Sequence, residues 1–169
     1  MTDSVVIMGV AGCGKSSLGA SVAAGSGMRL IEGDDFHSPA NRAKMSQGVA
    51  LTDADRDGWL GTLSDQLRNQ PGCVVLTCSA LKRAYRERLR EAAPGLRFVF
   101  LDISREQAEA RVADRAGQHF FNRSLVDSQF AALEVPTGEA GVLTVDALQP
   151  LNELQTTVSA WLAHTGEAA

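Results

Sequence analysis

The stretch Gly9-Val10-Ala11-Gly12-Cys13-Gly14-Lys15-Ser16 follows a short apolar run, residues 4–8, and precedes a helical pattern over residues 17–24. It matches the Walker A pattern, in which a glycine, a Gly-Lys pair and a hydroxyl residue have fixed spacing. Glycines in such a loop let successive backbone amides point into one concavity, and the N-terminus of the next helix adds a partial positive charge. The stretch therefore predicts a triphosphate site at the end of a first strand, and we call residues 9–16 the phosphate loop.

Two side chains of this loop are predicted to act on the phosphates directly. Lys15 is expected to reach the β- and γ-phosphates, and the Ser16 hydroxyl to ligate Mg²⁺. Cys13 occupies a variable position, where a small packed side chain is favoured over a redox switch. The alternative interpretation is a glycine-rich turn that binds no ligand. The predicted nucleotide-binding residues are Gly9, Gly12, Cys13, Gly14, Lys15, Ser16, Ser17 and, further along the chain, Arg111.

Outward from this loop, short apolar runs alternate with helical patterns, which predicts an α/β fold. Because the runs are apolar throughout, we expect a mostly parallel sheet with helices on both faces. The clearest helix starts at Thr52, with Asp55 as its capping partner and an apolar stripe that includes Trp59 and Leu63. The five predicted strands cover residues 4–8, 28–31, 73–78, 96–101 and 142–145.

The composition limits the class of protein. A chain of 169 residues fits a single domain, residues 1–169. With 16 basic and 20 acidic residues the net charge is −4, so no basic excess favours nucleic acid or an acidic membrane surface. No apolar run approaches the roughly 20 residues of a membrane-spanning helix. Three cysteines without metal-ligand spacing favour free thiols in a reducing compartment, so we expect a cytoplasmic location.

Acidic and basic residues follow the second predicted strand, in residues 32–37 and 41–45. The C-terminal ends of strands are where open α/β sheets bind ligands. A carboxylate such as Asp34 can accept or orient the proton of an attacking hydroxyl. The alternatives are that Asp34 and Asp35 cap a turn and that the histidine is a structural hydrogen-bonding residue. The side chains predicted to hold an anionic acceptor are His37, Arg42 and Lys44.

A basic patch follows the third predicted strand. From residue 80 to residue 90, five positive side chains stand against one negative side chain, in contrast to the acidic whole. Lys82 and Arg86 are one helical turn apart and share a face, where they could pair with phosphate or carboxylate oxygens. The alternative is a solvated basic stripe.

A third polar cluster lies between two helical patterns and has the composition of a lid, approximately residues 112–124. Arg111 and Arg115 are four residues apart at its entrance, and His119 follows. Closure over the nucleotide would bring the guanidinium groups to the phosphates and exclude water. Otherwise both arginines are surface ion-pair partners.

Taken together, these motifs resemble those of the gluconokinases, a family of small P-loop kinases related to shikimate and nucleoside monophosphate kinases. The resemblance extends over nearly the whole chain. The matching segments are Met8-Gly9-Val10 with the phosphate loop, residues 32–37, 41–45, 51–56 before Trp59-Leu60, 78–82, Gln129-Phe130, Leu133-Glu134 and Pro136.

The resemblance implies ATP-dependent phosphorylation of the 6-hydroxyl of D-gluconate, in a three-layer fold with five parallel strands and a mobile lid. It also implies Mg²⁺ and a cytoplasmic homodimer. Lys15, Asp34 and Arg115 are the implied catalytic residues, and Asp34 would orient or deprotonate the hydroxyl. The implied substrate-binding residues are Asp34, His37, Arg42, Lys44, Ser79, Lys82, Arg86 and Gln129. The lid departs from the family pattern, because three residues instead of two separate Arg115 from His119.

Two other functions stay open at this point. Another small-molecule kinase such as shikimate kinase has a glycine-rich segment after the third strand, whereas this chain has Ser79-Ala80-Leu81. A nucleotide-binding regulatory module could keep the phosphate loop and the sheet without transferring phosphate.

Overall fold

The computed structural model describes residues 3–116 and 123–164, with the backbone alone at residues 115, 116 and 123. Its five strands form one sheet in the order β2-β3-β1-β4-β5, and every neighbouring pair is parallel. The prediction of a parallel five-stranded sheet is therefore confirmed. The strands are β1 (Val5–Met8), β2 (Arg29–Glu32), β3 (Val74–Thr77), β4 (Arg97–Asp102) and β5 (Val142–Asp146).

Helices connect the strands and cover the sheet. A short 3₁₀ turn, Gly33–Phe36, directly follows β2. The α-helices are α1 (Lys15–Ser26), α2 (Pro39–Ser46), α3 (Asp53–Asn69), α4 (Arg83–Ala92), α5 (Arg105–Ala116), α6 (Arg123–Ala132) and α7 (Leu151–Ala163).

The core lies on both faces of the sheet. Successive side chains of a strand point to opposite faces, and along β1 Val5 and Ile7 pack with residues of α1 and α7. Val6 and Met8 pack with residues of α3 and α4. The central strand is wholly buried, as its continuous apolar run predicts, whereas the edge strands β2 and β5 are partly exposed because each has a neighbour on one side only.

The predicted cap of α3 is present. The Thr52 hydroxyl accepts a hydrogen bond from the Asp55 amide at 3.1 Å, and the Asp55 carboxylate accepts one from the Thr52 amide at 2.9 Å. This reciprocal pair satisfies two amides that the first helical turn leaves without partners. It fixes the start of the helix that carries Trp59 into the core.

The sheet order brings three loops to one edge. Because β3 lies between β2 and β1, the segments that leave the C-terminal ends of these three strands are neighbours. They carry the phosphate loop, the 3₁₀ turn with Asp34, and Ser79. Cys13 and Cys78 are buried free thiols, as predicted. Within the described ranges, no helix is both long and apolar enough to cross a membrane.

Candidate active site

The phosphate loop joins β1 to α1 through backbone conformations that require glycine. Gly14 caps α1 with a φ of 97°, in the left-handed region. Gly12 has a φ of 83°, and a Cβ atom there would lie 2.9 Å from the Ala108 carbonyl oxygen. Any larger residue at Gly12 would therefore push the loop away from α5.

The polar side chains of the loop are held by neighbouring groups. The Lys15 ammonium donates to the carbonyl oxygens of Gly9 at 3.0 Å and Val10 at 3.2 Å. The Ser16 hydroxyl donates to Glu32 Oε2 at 3.1 Å, and the same oxygen accepts from the Thr77 hydroxyl at 2.5 Å. The loop thus holds its hydroxyl against β2 and β3 and its ammonium against its own carbonyl oxygens.

A cavity of about 300 Å³ extends from the phosphate loop toward the end of β2, and we call it the acceptor cavity. Lys15 and Ser16 line one end of it. Asp34, at the start of the 3₁₀ turn, also lines it, and the Asp34 side chain is 84% exposed. The lysine of the loop and an accessible carboxylate therefore share one cavity.

His37 forms a buried part of the same wall. Its ring stacks on Trp59 with 4.2 Å between ring centroids and 16° between planes. Burial lowers the pKa of His37, and Arg42 and Arg56 act in the same direction while Asp34 opposes them. The imidazole is therefore held neutral near pH 7.

Ser79 and Gln129 reach the cavity from two further elements. Ser79 follows β3, and Gln129 lies on α6. Gln129 Oε1 accepts a hydrogen bond of 2.6 Å from the Ala11 amide. This bond ties α6 to the phosphate loop.

A second cavity, of about 380 Å³, lies beside the loop and is lined by Ser17, Cys13, Arg111 and Leu151. The Arg111 guanidinium donates to the carbonyl oxygens of Gly12, Cys13 and Ala147, at 3.3, 3.2 and 2.8 Å. It therefore bridges the phosphate loop and the segment after β5. The Cys13 side chain is buried in the core, in keeping with a small packed residue at this position.

Comparison with known proteins agrees with this arrangement. A sequence model of the AAA domain matches residues 5–136. The gluconokinase of Gluconobacter oxydans is 46% identical over 144 residues, which cover 83% of this chain and 80% of that protein. The chain belongs to the gluconokinase family.

Solved structures of similar proteins share the whole fold. A crystal structure of a gluconokinase from Sinorhizobium meliloti is 47% identical, with a TM-score of 0.89 over 96% of this chain and 92% of that chain. The crystal structure of a sugar kinase from a Janibacter species is 39% identical, with a TM-score of 0.89 over 96% and 95% of the two chains.

In this member of the gluconokinase family, the assignment of Arg86 to the substrate is wrong. Arg86 is fully buried and forms a bidentate ion pair with Glu139, with donor distances of 3.0 and 2.6 Å. Its other N–H groups donate to the carbonyl oxygens of Ala80, Leu81 and Glu134. Because a guanidinium has five N–H donors and all five are used, none is left for a ligand.

Arg86 instead supports the segment that carries Ser79. Ala80 has a φ of 46°, which is uncommon for a residue with a side chain. The Arg86 guanidinium donates to the Ala80 carbonyl oxygen at 2.8 Å. Burial alone would raise the pKa of Glu139, but hydrogen bonds from Arg86 and Arg90 outweigh it and lower that pKa.

Three further cations that were predicted to bind the acceptor do not line the acceptor cavity, namely Arg42, Lys44 and Lys82. Lys44 pairs with Asp55 at 2.7 Å, and Lys82 pairs with Asp53 at 2.9 Å. Arg42 donates to the carbonyl oxygens of the 3₁₀ turn, with 2.9 Å to that of Asp35. Their long side chains thus bind protein groups close to the site.

The residue that sequence reasoning missed is Arg56. It lines the acceptor cavity with Trp59, and its guanidinium donates to the Tyr85 hydroxyl at 3.3 Å. Within the described part of the chain, Arg56 forms no ion pair. A signal was available, because Arg56 lies three residues before Trp59 on α3 and therefore on the same helical face.

The predicted lid lies partly outside the described residues. Residues 117–122, which include His119, lie outside the described residues, as does the Arg115 side chain. The catalytic role of Arg115 stays a prediction.

Proposed function

We propose that this protein transfers the γ-phosphoryl group of ATP to the 6-hydroxyl of D-gluconate, giving 6-phospho-D-gluconate and ADP. The observation that carries this proposal is one cavity that holds Lys15 at one end and both Asp34 and Arg56 in its wall. Related proteins named gluconokinases are similar in sequence or structure over most of this chain.

The transfer forms a bond between the 6-oxygen of the acceptor and the γ-phosphorus. It breaks the bond from that phosphorus to the oxygen it shares with the β-phosphate, which leaves with ADP. Asp34 orients the hydroxyl and receives its proton. The Lys15 ammonium moves from the loop carbonyls to the phosphates and offsets the charge that develops there. Catalysis is then mostly positioning and electrostatic stabilisation.

Mg²⁺ would enter with the nucleotide. It prefers oxygen ligands and commonly keeps several waters beside phosphate oxygens. The Ser16 hydroxyl at the start of α1 fits this chemistry, and it would be the protein ligand. When bound, the ion neutralises phosphate charge and polarises the bond to the leaving oxygen.

Arg56 is our candidate for the carboxylate of the acceptor. D-gluconate carries its carboxylate and its 6-hydroxyl at opposite ends. A carboxylate next to Asp34 would be repelled, whereas Arg56 offers a guanidinium without an ionic partner among the described residues. Ser79, Gln129 and His37 would bind hydroxyl groups between the two ends.

The second cavity would hold the nucleoside of ATP, with Arg111 between it and the phosphates. Closure of the lid with Arg115, a homodimer and a cytoplasmic location are further parts of the proposal, and their support is the resemblance to the family.

A coupled ADP assay tests the proposal, with gluconate, shikimate and nucleoside monophosphates offered in parallel. We expect ADP release that depends strictly on gluconate. Release with shikimate instead would favour a shikimate kinase, and release without any acceptor would contradict the proposal.

Two variants test whether the Asp34 carboxylate receives the proton of the acceptor hydroxyl. Asp34→Asn should retain ATP binding and lose roughly 10²-fold or more in kcat, as expected when a positioned proton acceptor is removed. Asp35→Asn is the matched control, because the neighbouring Asp35 is exposed and is not part of the cavity wall. Similar turnover in Asp34→Asn and Asp35→Asn would refute the role of Asp34.

A further inference from the structure

Asn41 is a buried polar residue to which the proposed transfer mechanism assigns no role. It lies on α2 with 4% of its surface exposed. Its side-chain nitrogen Nδ2 donates to the Asp55 carbonyl oxygen at 2.9 Å. A carbonyl oxygen only accepts hydrogen bonds, so this contact fixes which end of the Asn41 amide is the nitrogen.

The same nitrogen lies 3.4 Å from Nδ1 of His37. An amide nitrogen carries two hydrogens and can therefore serve both partners. Facing a donor, Nδ1 of His37 must present its lone pair. A neutral imidazole has one N–H group, so the hydrogen of His37 is then on Nε2.

The remaining contacts of His37 agree with a neutral ring. Trp59 stacks on it, burial lowers its pKa, and the cations Arg42 and Arg56 act in the same direction. The carboxylate that faces it is Asp34, with 3.8 Å between Nε2 and Oδ1. That distance is too long for a hydrogen bond. The Nε2–H group thus has no acceptor among the described residues, and His37 is one of the residues that line the acceptor cavity.

We propose that Asn41 is a positioning residue that fixes the Nε2–H tautomer of His37, so that the neutral imidazole donates a hydrogen bond to a hydroxyl oxygen of the acceptor. The inference rests on the proposed function for the identity of that acceptor. The contact requires α2, which carries Asn41, to pack beside His37, the residue that follows the 3₁₀ turn. Asn41 touches His37 and the backbone of α3, and acts on the substrate only through the imidazole.

The tautomer can be measured without any substrate. Long-range ¹H–¹⁵N correlation spectra of the ¹⁵N-labelled protein at pH 7 distinguish the Nε2–H form, the Nδ1–H form and the imidazolium. The chain has three histidines, and the His37→Gln variant assigns the signal by its loss. We expect the Nε2–H form for His37. Either of the other two forms would overturn the proposal, whatever the enzyme phosphorylates.

A pH profile of kcat/KM for gluconate provides a second test. In Asn41→Asp the new carboxylate accepts from Nδ1–H, so neutral His37 loses its hydrogen on Nε2, and only the imidazolium still donates there. We expect kcat/KM of this variant to fall roughly tenfold as the pH rises through the pKa of its imidazolium, about the value of one hydrogen bond. The wild-type profile should be flat over that range. Parallel profiles would overturn the proposal.

A second pair of variants covers the case in which Asn41→Asp does not fold. The amide nitrogen of Gln can reach the place of Nε2, whereas Asn is too short. We expect kcat/KM for gluconate to be roughly tenfold higher in His37→Gln than in His37→Asn, with the same KM for ATP in both. Equal losses in the two variants would overturn the proposal. Absence of gluconate phosphorylation in the wild type would instead refute the proposed function and leave the tautomer measurement valid.

Discussion

The phosphate loop and the wall of the acceptor cavity are built in different ways. The loop consists of consecutive residues, and its shape follows from glycines with positive φ and from backbone groups. The acceptor wall is assembled from side chains that come from the 3₁₀ turn, α3, the end of β3 and α6. A motif of adjacent residues therefore describes the phosphate loop well. The wall of the acceptor cavity depends on which groups the long side chains bind in the folded protein.

Lys82 and Arg86 illustrate the difference within one helical turn. Lys82 immediately precedes α4, is partly exposed and pairs with Asp53, whereas Arg86 is fully buried against Glu139. The prediction that both lie on one helical face is wrong, because Lys82 is the N-cap of α4 and has an extended backbone. The two side chains therefore have different environments.

The largest expected effect tests whether Arg86 belongs to the fold and not to the site. In Arg86→Met the Glu139 carboxylate keeps only its hydrogen bond from Arg90, and three carbonyl oxygens lose the donors that Arg86 supplies. We expect a loss of about 3–5 kcal/mol in the free energy of unfolding. Urea unfolding measures it. Arg88→Met, which breaks an exposed pair with Asp57, is the control and should cost less than about 1 kcal/mol. Equal losses in the free energy of unfolding for the two variants would contradict the structural role of Arg86.

Lys15→Ala tests the phosphate loop itself. Loss of the ammonium that offsets phosphate charge should lower kcat by roughly 10²–10³-fold, on the scale of removing one preorganised donor from a transition state. The measurement is kcat at saturating gluconate and ATP. Urea unfolding checks that the variant is folded. A decrease below about threefold would mean that the loop binds nucleotide without taking part in transfer.

Arg56→Met and Lys82→Met compare a cation in the acceptor wall with one outside it. We expect Arg56→Met to raise KM for gluconate roughly 10- to 100-fold, since charge-assisted hydrogen bonds are worth about 1.5–3 kcal/mol. Lys82→Met should change it less than about threefold, because this ammonium is paired with the exposed Asp53. KM for ATP should stay constant in both. The reverse order would restore Lys82 as the carboxylate-binding residue.

The smallest expected effect concerns the ion pair between Lys44 and Asp55, which lies outside the wall of the acceptor cavity. Hydrogen bonds from Lys44 and from the Thr52 amide hold the pKa of Asp55 at about 2, below its ordinary 3.8. A lowered folded-state pKa adds stability above the unfolded value, and that stability is lost as the pH falls from about 4 toward about 2. We expect Lys44→Met to be less stable than the wild type at pH 6, with a smaller difference near pH 2, measured by urea unfolding. A difference that does not vary with pH would contradict the ion pair.

The features that depend on neighbours along the chain could be predicted from the sequence. The Gly9–Ser16 motif, the five apolar strands and the Thr52–Asp55 cap were all predictable, because steric limits and hydrogen bonds within a few residues decide them. The rule that ligands bind at the C-terminal ends of strands predicted that Asp34 lies near the phosphate loop.

Which polar side chains face the acceptor cavity depends instead on contacts between segments that are far apart in the chain. Arg86 is removed from the site by Glu139, 53 residues further along the chain, and Arg56 enters it because α3 packs beside the 3₁₀ turn. Asn41 meets both His37 and the Asp55 carbonyl for the same reason. A long or branched polar side chain has several possible partners of similar energy, and the one it binds is set by the packing of distant segments.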